Sequence, residues 1–193
     1  MSGLVGNVGS RSGTIGEMGG QMRLISKALP SGTSACEFTG FSDIYQNYIF
    51  ILNNLTPASA AAFYARAFLA GTEQTSAYLM SQTFSYTNSA SDDAFTRHDS
   101  VIYFLMTEAV GSTAAQGGLS AFLTLTSPTN TEVAHRLYGN LNFCNASTYL
   151  YNALTSGHDN NASGGSAITK MKFWFNGQNF TNGSIAMYGV KDA

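Results

Sequence analysis

The spacing of turn residues constrains the fold of this chain more than any other feature. From Gln21 onward, clusters of Gly, Pro, Asn, Asp and Ser separate short apolar segments at intervals of about 8–15 residues. No long segment with a helical period lies between them, which disfavours parallel βαβ architecture. The pattern predicts an all-β fold, an antiparallel two-sheet sandwich of the jelly-roll type. The predicted strands cover residues 22–29, 35–39, 45–55, 61–70, 77–86, 99–110, 118–126, 132–143, 167–176 and 184–190.

Two apolar runs and one alanine-rich run are predicted to be strands for different reasons. The runs 48–52 and 101–106 are apolar at consecutive positions, which is typical of central strands covered on both faces. The run 61–70 contains five alanines and would favour a helix on propensity alone. The preceding Pro57 and the following Gly71 favour a strand there.

The composition indicates an uncharged surface. Only 10% of the residues are charged, and Ser (22), Thr (19) and Asn (15) together far outnumber the 20 charged residues. A helical bundle would solvate its outer faces with Glu, Lys and Arg, so that class is excluded. The nine Lys and Arg residues are scattered, which argues against nucleic-acid binding. No run approaches the roughly 18 apolar residues of a membrane span, so we expect no membrane insertion.

The first twenty residues form a separate segment. Glycine recurs at every third position in two blocks, 3–9 and 13–19, with apolar residues between the glycines. Such a repeat suits an extended chain that another backbone can approach closely, and its apolar residues are unlike a plain linker. We therefore divide the chain into an anchoring arm, 1–20, that orders against a partner, and a β-sandwich domain, 21–193. A disordered leader is the alternative. The partner-binding residues of the arm are Gly3, Leu4, Val5, Gly6, Val8, Gly9, Gly13, Ile15 and Gly16.

Motifs for catalysis and metal binding are missing. The chain has three histidines but no Gly-x-Ser-x-Gly elbow, no Cys-x-x-Cys and no His-Glu-x-x-His. Its eleven acidic residues form no recognisable glycosidase pair. We expect no catalytic residue, no metal and no cofactor. The two cysteines, Cys36 and Cys144, are interpreted as small buried side chains, and a bridge between them stays open.

One segment, 149–161, has the composition of a glycan-binding loop. It mixes tyrosines with Asn, Asp and His, and aromatic faces stack on sugar rings while amides and carboxylates bond to hydroxyls. The alternative is that the tyrosines belong to the core or to an interface and the amides solvate a turn. Trp174 lies in a predicted strand, where we expect it to be packed. The candidate glycan-facing residues are Tyr149, Tyr151, His158, Asp159 and Asn160.

The two ends of the chain carry the most specific pattern. The C-terminal part reads as a strand, 168–176, a glycine-bounded loop, 177–183, and a strand that ends Met-Tyr-Gly-Val at 187–190. This hairpin resembles the C-terminal signature of a family of tailed-bacteriophage virion proteins of the marine phage type. The segments 24–26, 36–41 and 45–57 resemble the opening of the same domain. The leader 3–16 resembles that of tail-fibre proteins from such phages.

The resemblance implies a jelly-roll-like sandwich located on the virion, and no enzymatic activity. The primary hypothesis is a tail-fibre or appendage subunit that anchors through its arm and contacts the host surface. A capsid decoration protein is the alternative, and a glycan-degrading enzyme is a third. The partners implied are a second and third copy of the chain, another virion protein (tail adaptor or capsid) and a host surface glycan. The trimer is drawn from the family and from the period-three arm.

Overall fold

Two antiparallel β-sheets pack face to face in this protein. A computed structural model describes residues 22–87, 94–101, 103–159 and 165–191. Every strand pairing among these residues is antiparallel. The predicted all-β sandwich is confirmed. The arm residues 3–16 and the candidate residue Asn160 lie outside the described residues.

Thirteen strands and one short 3₁₀ turn (Ala114–Gln116) make up the described fold. The strands are β1 (Met22–Ala28), β2 (Ala35–Phe38), β3 (Asn47–Pro57), β4 (Ala61–Leu69), β5 (Thr72–Glu73), β6 (Tyr78–Tyr86), β7 (Ala94–Val101), β8 (Leu105–Val110), β9 (Leu119–Thr126), β10 (Arg136–Cys144), β11 (Leu150–Asp159), β12 (Ile168–Phe175) and β13 (Phe180–Val190).

The two sheets differ in size. The large sheet has eight strands in the order β1-β13-β3-β9-β10-β11-β6-β7, and the small sheet joins β2-β12-β4-β5 with β8 also paired to β4. The chain crosses repeatedly from one sheet to the other, for example from β2 to β3 and from β12 to β13, which gives the sandwich its jelly-roll-like character.

Aromatic rings fill the space between the sheets. Phe173 of β12 lies 5.0 Å from Phe50 of β3 and 6.0 Å from Phe38 and Phe63, measured between ring centroids. All four side chains are at most 1% exposed. Edge-to-face contacts between large buried rings stabilise the packing beyond the burial of their area. The core is therefore centred where β3 of the large sheet faces β12 of the small sheet.

The alanine-rich segment is a strand, as predicted. β4 lies inside the small sheet, where β12 pairs along one edge and β8 along the other. Its inward residues Ala61, Phe63, Ala65 and Ala67 are buried. The helical preference of alanine is weak and is overridden by these two rows of sheet hydrogen bonds.

The predicted single strand 99–110 is wrong, because the chain changes sheets within it. β7 ends at Val101 in the large sheet, and β8 begins at Leu105 in the small sheet. Between them Phe104 is fully buried, and its N–H donates to the carbonyl of Ala65 at 2.8 Å. The apolar run here is a crossover through the core.

Several predicted turns are strand in the structure. Thr56 and Pro57 end β3, β13 begins at Phe180 and not at Ser184, and the segment 150–159 is β11. β5, a two-residue strand, was not predicted. Conversely, residues 132–135 precede β10, which begins at Arg136. Register shifts in β13 between Phe180 and Ser184 explain how that strand accommodates the polar, glycine-containing stretch.

The cysteines are not bridged. Cys36 in β2 is 6% exposed and Cys144 at the end of β10 is half-buried, and both are free thiols. The predicted burial is confirmed for Cys36 and is only partial for Cys144.

Candidate functional site

The outward surface of the large sheet, called here the outer sheet face, is unusually apolar. On β3, Tyr48, Phe50 and Leu52 point inward and are buried, whereas Ile49 and Ile51 point outward and are half-buried. The sequence predicted a strand covered on both sides, but the described chain covers only the inner side. The apolar residues at outward positions of this sheet are Met22, Leu24, Ile49, Ile51, Leu79, Phe122, Tyr138, Leu150, Leu154, Tyr188 and Val190.

Seven of the eight strands behind the outer sheet face contribute no exposed carboxylate. The seven strands β1, β13, β3, β9, β10, β11 and β6 contain a single acidic residue, Asp159, and its side chain points inward and is 0% exposed. The same seven strands place three basic residues at outward positions: Lys27, Arg136 and His158. Contiguous exposed apolar surface with so little charge typically marks an interaction site.

A hollow of about 490 Å³ lies in the middle of this face. Its apolar walls are Phe122, Tyr138 and Leu154, which are 49%, 44% and 63% exposed and belong to the adjacent strands β9, β10 and β11. In the strand register, Phe122 faces Asn140, and Asn140 faces Leu154. The lining residues are Phe122, Thr124, Tyr138, Gly139, Asn140, Leu154, Thr155 and Ser156. We call this hollow the groove.

Gly139 contributes main chain to the lining of the groove. It occupies an inward position of β10 between the buried Leu137 and Leu141. A Cβ at this position would collide with the backbone oxygen of Phe122. The backbones of β9 and β10 therefore approach more closely here than any other residue would allow, and main chain forms part of the groove floor.

A network of amides borders the groove. Asn142 Nδ2 donates to Asn140 Oδ1 at 2.6 Å, and Asn140 Nδ2 donates to Asn152 Oδ1 at 2.7 Å. The three side chains lie on the same face of the neighbouring strands β10 and β11. Each amide is hydrogen-bonded to the next. The network therefore fixes the direction of the NH₂ group of Asn152 at one end and of the carbonyl oxygen of Asn142 at the other before a ligand binds.

The predicted glycan-binding loop is wrong as a loop, because residues 150–159 form β11 inside the large sheet. Tyr151 is half-buried and its ring stacks on Phe143 at 5.0 Å, so it belongs to the core margin. Tyr149 is half-buried in the turn before β11. His158 lies at the other end of the strand, about 23 Å from Tyr151 at ~3.3 Å per residue. The predicted residues therefore do not form one surface.

Asp159 is not a surface residue either. Its Oδ2 lies 2.6 Å from Nδ1 of His135, and its Oδ1 accepts the backbone N–H of His135 at 2.8 Å. The side chains are 0% and 1% exposed. Nε2 of His135 lies 3.0 Å from the carbonyl oxygen of Asn130. All these groups are engaged in holding the 127–135 loop to the end of β11, which assigns them a structural role.

Phe122, Tyr138 and Leu154 were not predicted as site residues, although a signal existed. In β9 and β10 one large apolar residue interrupts the polar outward positions of an alternating strand, and in β11 the outward positions include Leu150 and Leu154. On one strand such a residue is unremarkable, because single exposed apolar residues are common. The three become a site only because β9, β10 and β11 are neighbours in register.

The outer face of the small sheet carries a second cluster, of aromatic and charged groups. The rings of Tyr64 and Tyr103 stack with centroids 4.0 Å apart. The Arg66 guanidinium lies 5.0 Å from the Tyr103 ring centroid and 5.1 Å from that of Trp174, and it donates to Glu73 at 2.9 Å. Trp174 is half-buried, as its predicted packing implies. The faces of these rings are covered by neighbouring side chains, so the cluster is a packed unit.

The described residues contain no group of three or more His, Cys, Asp or Glu residues placed to hold a metal ion. In the same residues no helix has the length and hydropathy needed to cross a membrane.

Comparison with protein-family models and with characterised protein sequences gives no match. Among solved structures, an exo-inulinase from Aspergillus awamori is similar over 91% of this chain and 30% of its own, with 9% identity and a TM-score of 0.39. The galectin LEC-6 of Caenorhabditis elegans is similar over 86% of this chain and 95% of its own, with 10% identity and a TM-score of 0.27. This chain spans less than half the length of the first two structures that it matches. At these scores the likenesses carry no inference about activity.

Proposed function

We propose that this chain is a non-catalytic structural subunit of a bacteriophage virion, an appendage or tail-fibre subunit that anchors through its N-terminal arm and contacts the host surface. The resemblance of residues 3–16, 24–26, 36–41, 45–57 and 168–190 to virion proteins suggests this class. The observation that carries the proposal furthest is the apolar outer sheet face, with Phe122, Tyr138 and Leu154 exposed around an uncharged groove.

An exposed face of this kind suits an interacting subunit. Soluble monomers seldom leave a broad apolar area open, and areas rimmed by polar groups mark contacts with other molecules. Here the polar groups are neutral amides and hydroxyls, including Asn140, Asn152 and Ser156. Binding through such a face does not depend on charge pairing, so salt affects it little.

The ionic groups of the sandwich favour a structural role over a catalytic one. Asp159 pairs with His135 in the interior, and Glu73 pairs with both Arg66 and Lys172 at 2.9 and 3.2 Å. Lys170 pairs with Glu37 at 2.8 Å on the surface. A carboxylate bonded in this way to a cation is poorly placed to act as a general acid or base, which needs a free path to substrate.

A capsid decoration protein is the second candidate, and one observation favours it. β1 begins at Met22, directly after the glycine-rich segment, so no fibrous shaft separates the two. In that arrangement the arm threads between shell subunits, and the outer sheet face lies against the capsid.

Cryo-electron microscopy of intact particles, with density assigned to this chain, tests the proposal. Density on the tail with the outer sheet face exposed supports the appendage role. Density at the axes of the shell replaces it with the decoration role. Failure to find the chain in purified particles, by mass spectrometry and microscopy together, would overturn both. Release of reducing sugar from host polysaccharide by the purified chain would contradict the non-catalytic part.

A further inference from the structure

We infer that the groove on the outer sheet face is a binding site for a neutral oligosaccharide, with Phe122 and Tyr138 stacking on sugar rings and the amides of Asn140 and Asn152 bonding to hydroxyls. This inference deepens the proposed function, because it names the ligand class of the face that would contact the host.

The groove has the chemistry that a sugar ring requires. A pyranose presents apolar C–H groups on its faces and hydroxyls around its rim. A matching site needs flat apolar walls with hydrogen-bonding groups at their edges, and rigid aromatics with adaptable amides supply both at low entropic cost. Phe122 and Tyr138 are 49% and 44% exposed and lie on adjacent strands, and Asn140 faces Phe122 directly in the register.

The amide groups beside the groove are oriented by one another. The bonds from Asn142 to Asn140 and from Asn140 to Asn152 align the three side chains. Among the described residues, no hydrogen-bond partner faces Nδ2 of Asn152, at the donor end of this network. Asn152 lies two residues before Leu154 on the same face, at the border of the groove, so its Nδ2 is available to a sugar hydroxyl. Pre-oriented groups lose less entropy on binding.

The lining of the groove is uncharged. None of the eight residues that line the groove is charged. The nearest basic positions in the register, Arg136 and His158, lie one row beyond Tyr138 and Ser156. An anionic ligand centred in the groove would lose water without gaining an ionic partner there. The lining therefore fits a neutral ligand.

The size of the groove is that of a ligand site. Its volume of about 490 Å³ lies within the ~300–1,000 Å³ range of small-molecule sites.

The test is a titration of the full chain, ¹⁵N-labelled, with neutral hexaoses of glucose, mannose, xylose and galactose, followed by amide shifts and calorimetry. Oligogalacturonate serves as the acidic probe. We expect at least one neutral probe to give saturable shifts at residues 122–124, 138–140 and 154–156. Tyr138→Ala and Asn152→Ala each weaken that binding about tenfold, which corresponds to ~1.4 kcal/mol. Tyr138→Phe retains most of the affinity, because the ring remains.

Leu24→Ala is the matched control, since Leu24 is equally exposed on the same face but lies outside the groove. It should leave binding unchanged. Three results would overturn the inference: no neutral probe binds below ~10 mM, only the acidic probe binds, or light scattering shows a concentration-dependent oligomer that Tyr138→Ala dissociates. These outcomes do not depend on where the chain is located on the virion. A chain found on the tail that binds no sugar keeps the proposed function and loses only this inference.

Discussion

His135 and Asp159 form a buried pair that closes one end of the large sheet. Nδ1 of His135 lies 2.6 Å from Oδ2 of Asp159, and neither side chain is more than 1% exposed. Their backbones are joined as well, because the Asp159 N–H donates to the carbonyl of His135 at 3.2 Å. The pair ties the loop before β10 to the last residue of β11.

Asp159→Ala should be among the most destabilising single changes. It leaves Nδ1 and the backbone N–H of His135 buried without their partner, and each such group costs about 1–3 kcal/mol. Urea unfolding followed by fluorescence measures the loss. Glu37→Gln is the control, because its pair with Lys170 is exposed and is worth only ~0–1 kcal/mol. A loss below about 1 kcal/mol for Asp159→Ala would contradict the assignment of a buried pair.

Tyr78→Phe should destabilise the sandwich by about 1–3 kcal/mol. The Tyr78 hydroxyl accepts the backbone N–H of Ala67 at 3.0 Å and donates to the carbonyl of Gln74 at 3.3 Å, and the residue is 0% exposed. Burial raises the pKa of Tyr78, despite the opposing bond to Ala67, so the phenol stays protonated at neutral pH. Removal of the hydroxyl leaves the N–H of Ala67 without a partner inside the protein.

The contribution of the Tyr78 hydroxyl to stability is measured by comparing the thermal unfolding midpoints of Tyr78→Phe and Tyr138→Phe. The second variant removes a hydroxyl that is already in water, so its midpoint should not move measurably. Equal midpoints for the two variants would show that the hydrogen bonds of the buried Tyr78 hydroxyl contribute nothing to thermal stability.

Cys36 should resist alkylation until the protein unfolds. Burial raises the pKa of the Cys36 thiol to about 11, and the residue is 6% exposed. The thiolate is the reactive species, and little of it forms at pH 8. Iodoacetamide treatment of the native and the urea-unfolded chain, followed by peptide mass spectrometry, measures the protection. The half-buried Cys144 is the internal reference. Native-state labelling of Cys36 as fast as that of Cys144 would refute its burial.

Glu73 should contribute stability that is lost in acid. Partial burial raises its pKa, but the hydrogen bonds and charges of Arg66 and Lys172 outweigh burial and hold the pKa below the ordinary value of 4.5. A carboxyl with a lowered folded-state pKa stabilises the fold above its unfolded value, and this contribution disappears as the pH falls through the folded value. Stability curves of the parent and of Glu73→Gln should therefore differ at pH 7 and converge below pH 4.5. A constant difference down to strong acid would contradict the ion-pair origin.

Gly157→Ala should destabilise the fold by about 1–3 kcal/mol, the usual range for forced overpacking. Gly157 is a buried inward position of β11, and a Cβ there would collide with the backbone oxygen of Phe104. The neighbouring Ser156→Ala changes an exposed position of the same strand and should be near neutral. Denaturant midpoints of the two variants decide the question, and a neutral Gly157→Ala would mean that Phe104 and β11 are less closely packed than described.

The segment 150–159 shows where sequence interpretation failed. Its inward positions hold Ala153, Thr155, Gly157 and Asp159, which are small or polar. A strand is recognised by alternating large apolar residues, and this one lacks them because Phe104 and His135 occupy the space beside it. Its composition is therefore that of a turn, although its environment makes it a strand.

The sequence by itself determined the class of fold and most of the strands. Turn residues at short intervals and apolar residues at alternate positions act locally, so they can be recognised without knowing what packs against what. That logic placed β4 correctly despite its alanines. Only the tertiary structure decided which faces are covered and which residues meet. The groove exists because β9, β10 and β11 are neighbours in register, and Asp159 is buried because His135 reaches it from 24 residues away. Such contacts depend on long-range packing, which local periodicity does not encode.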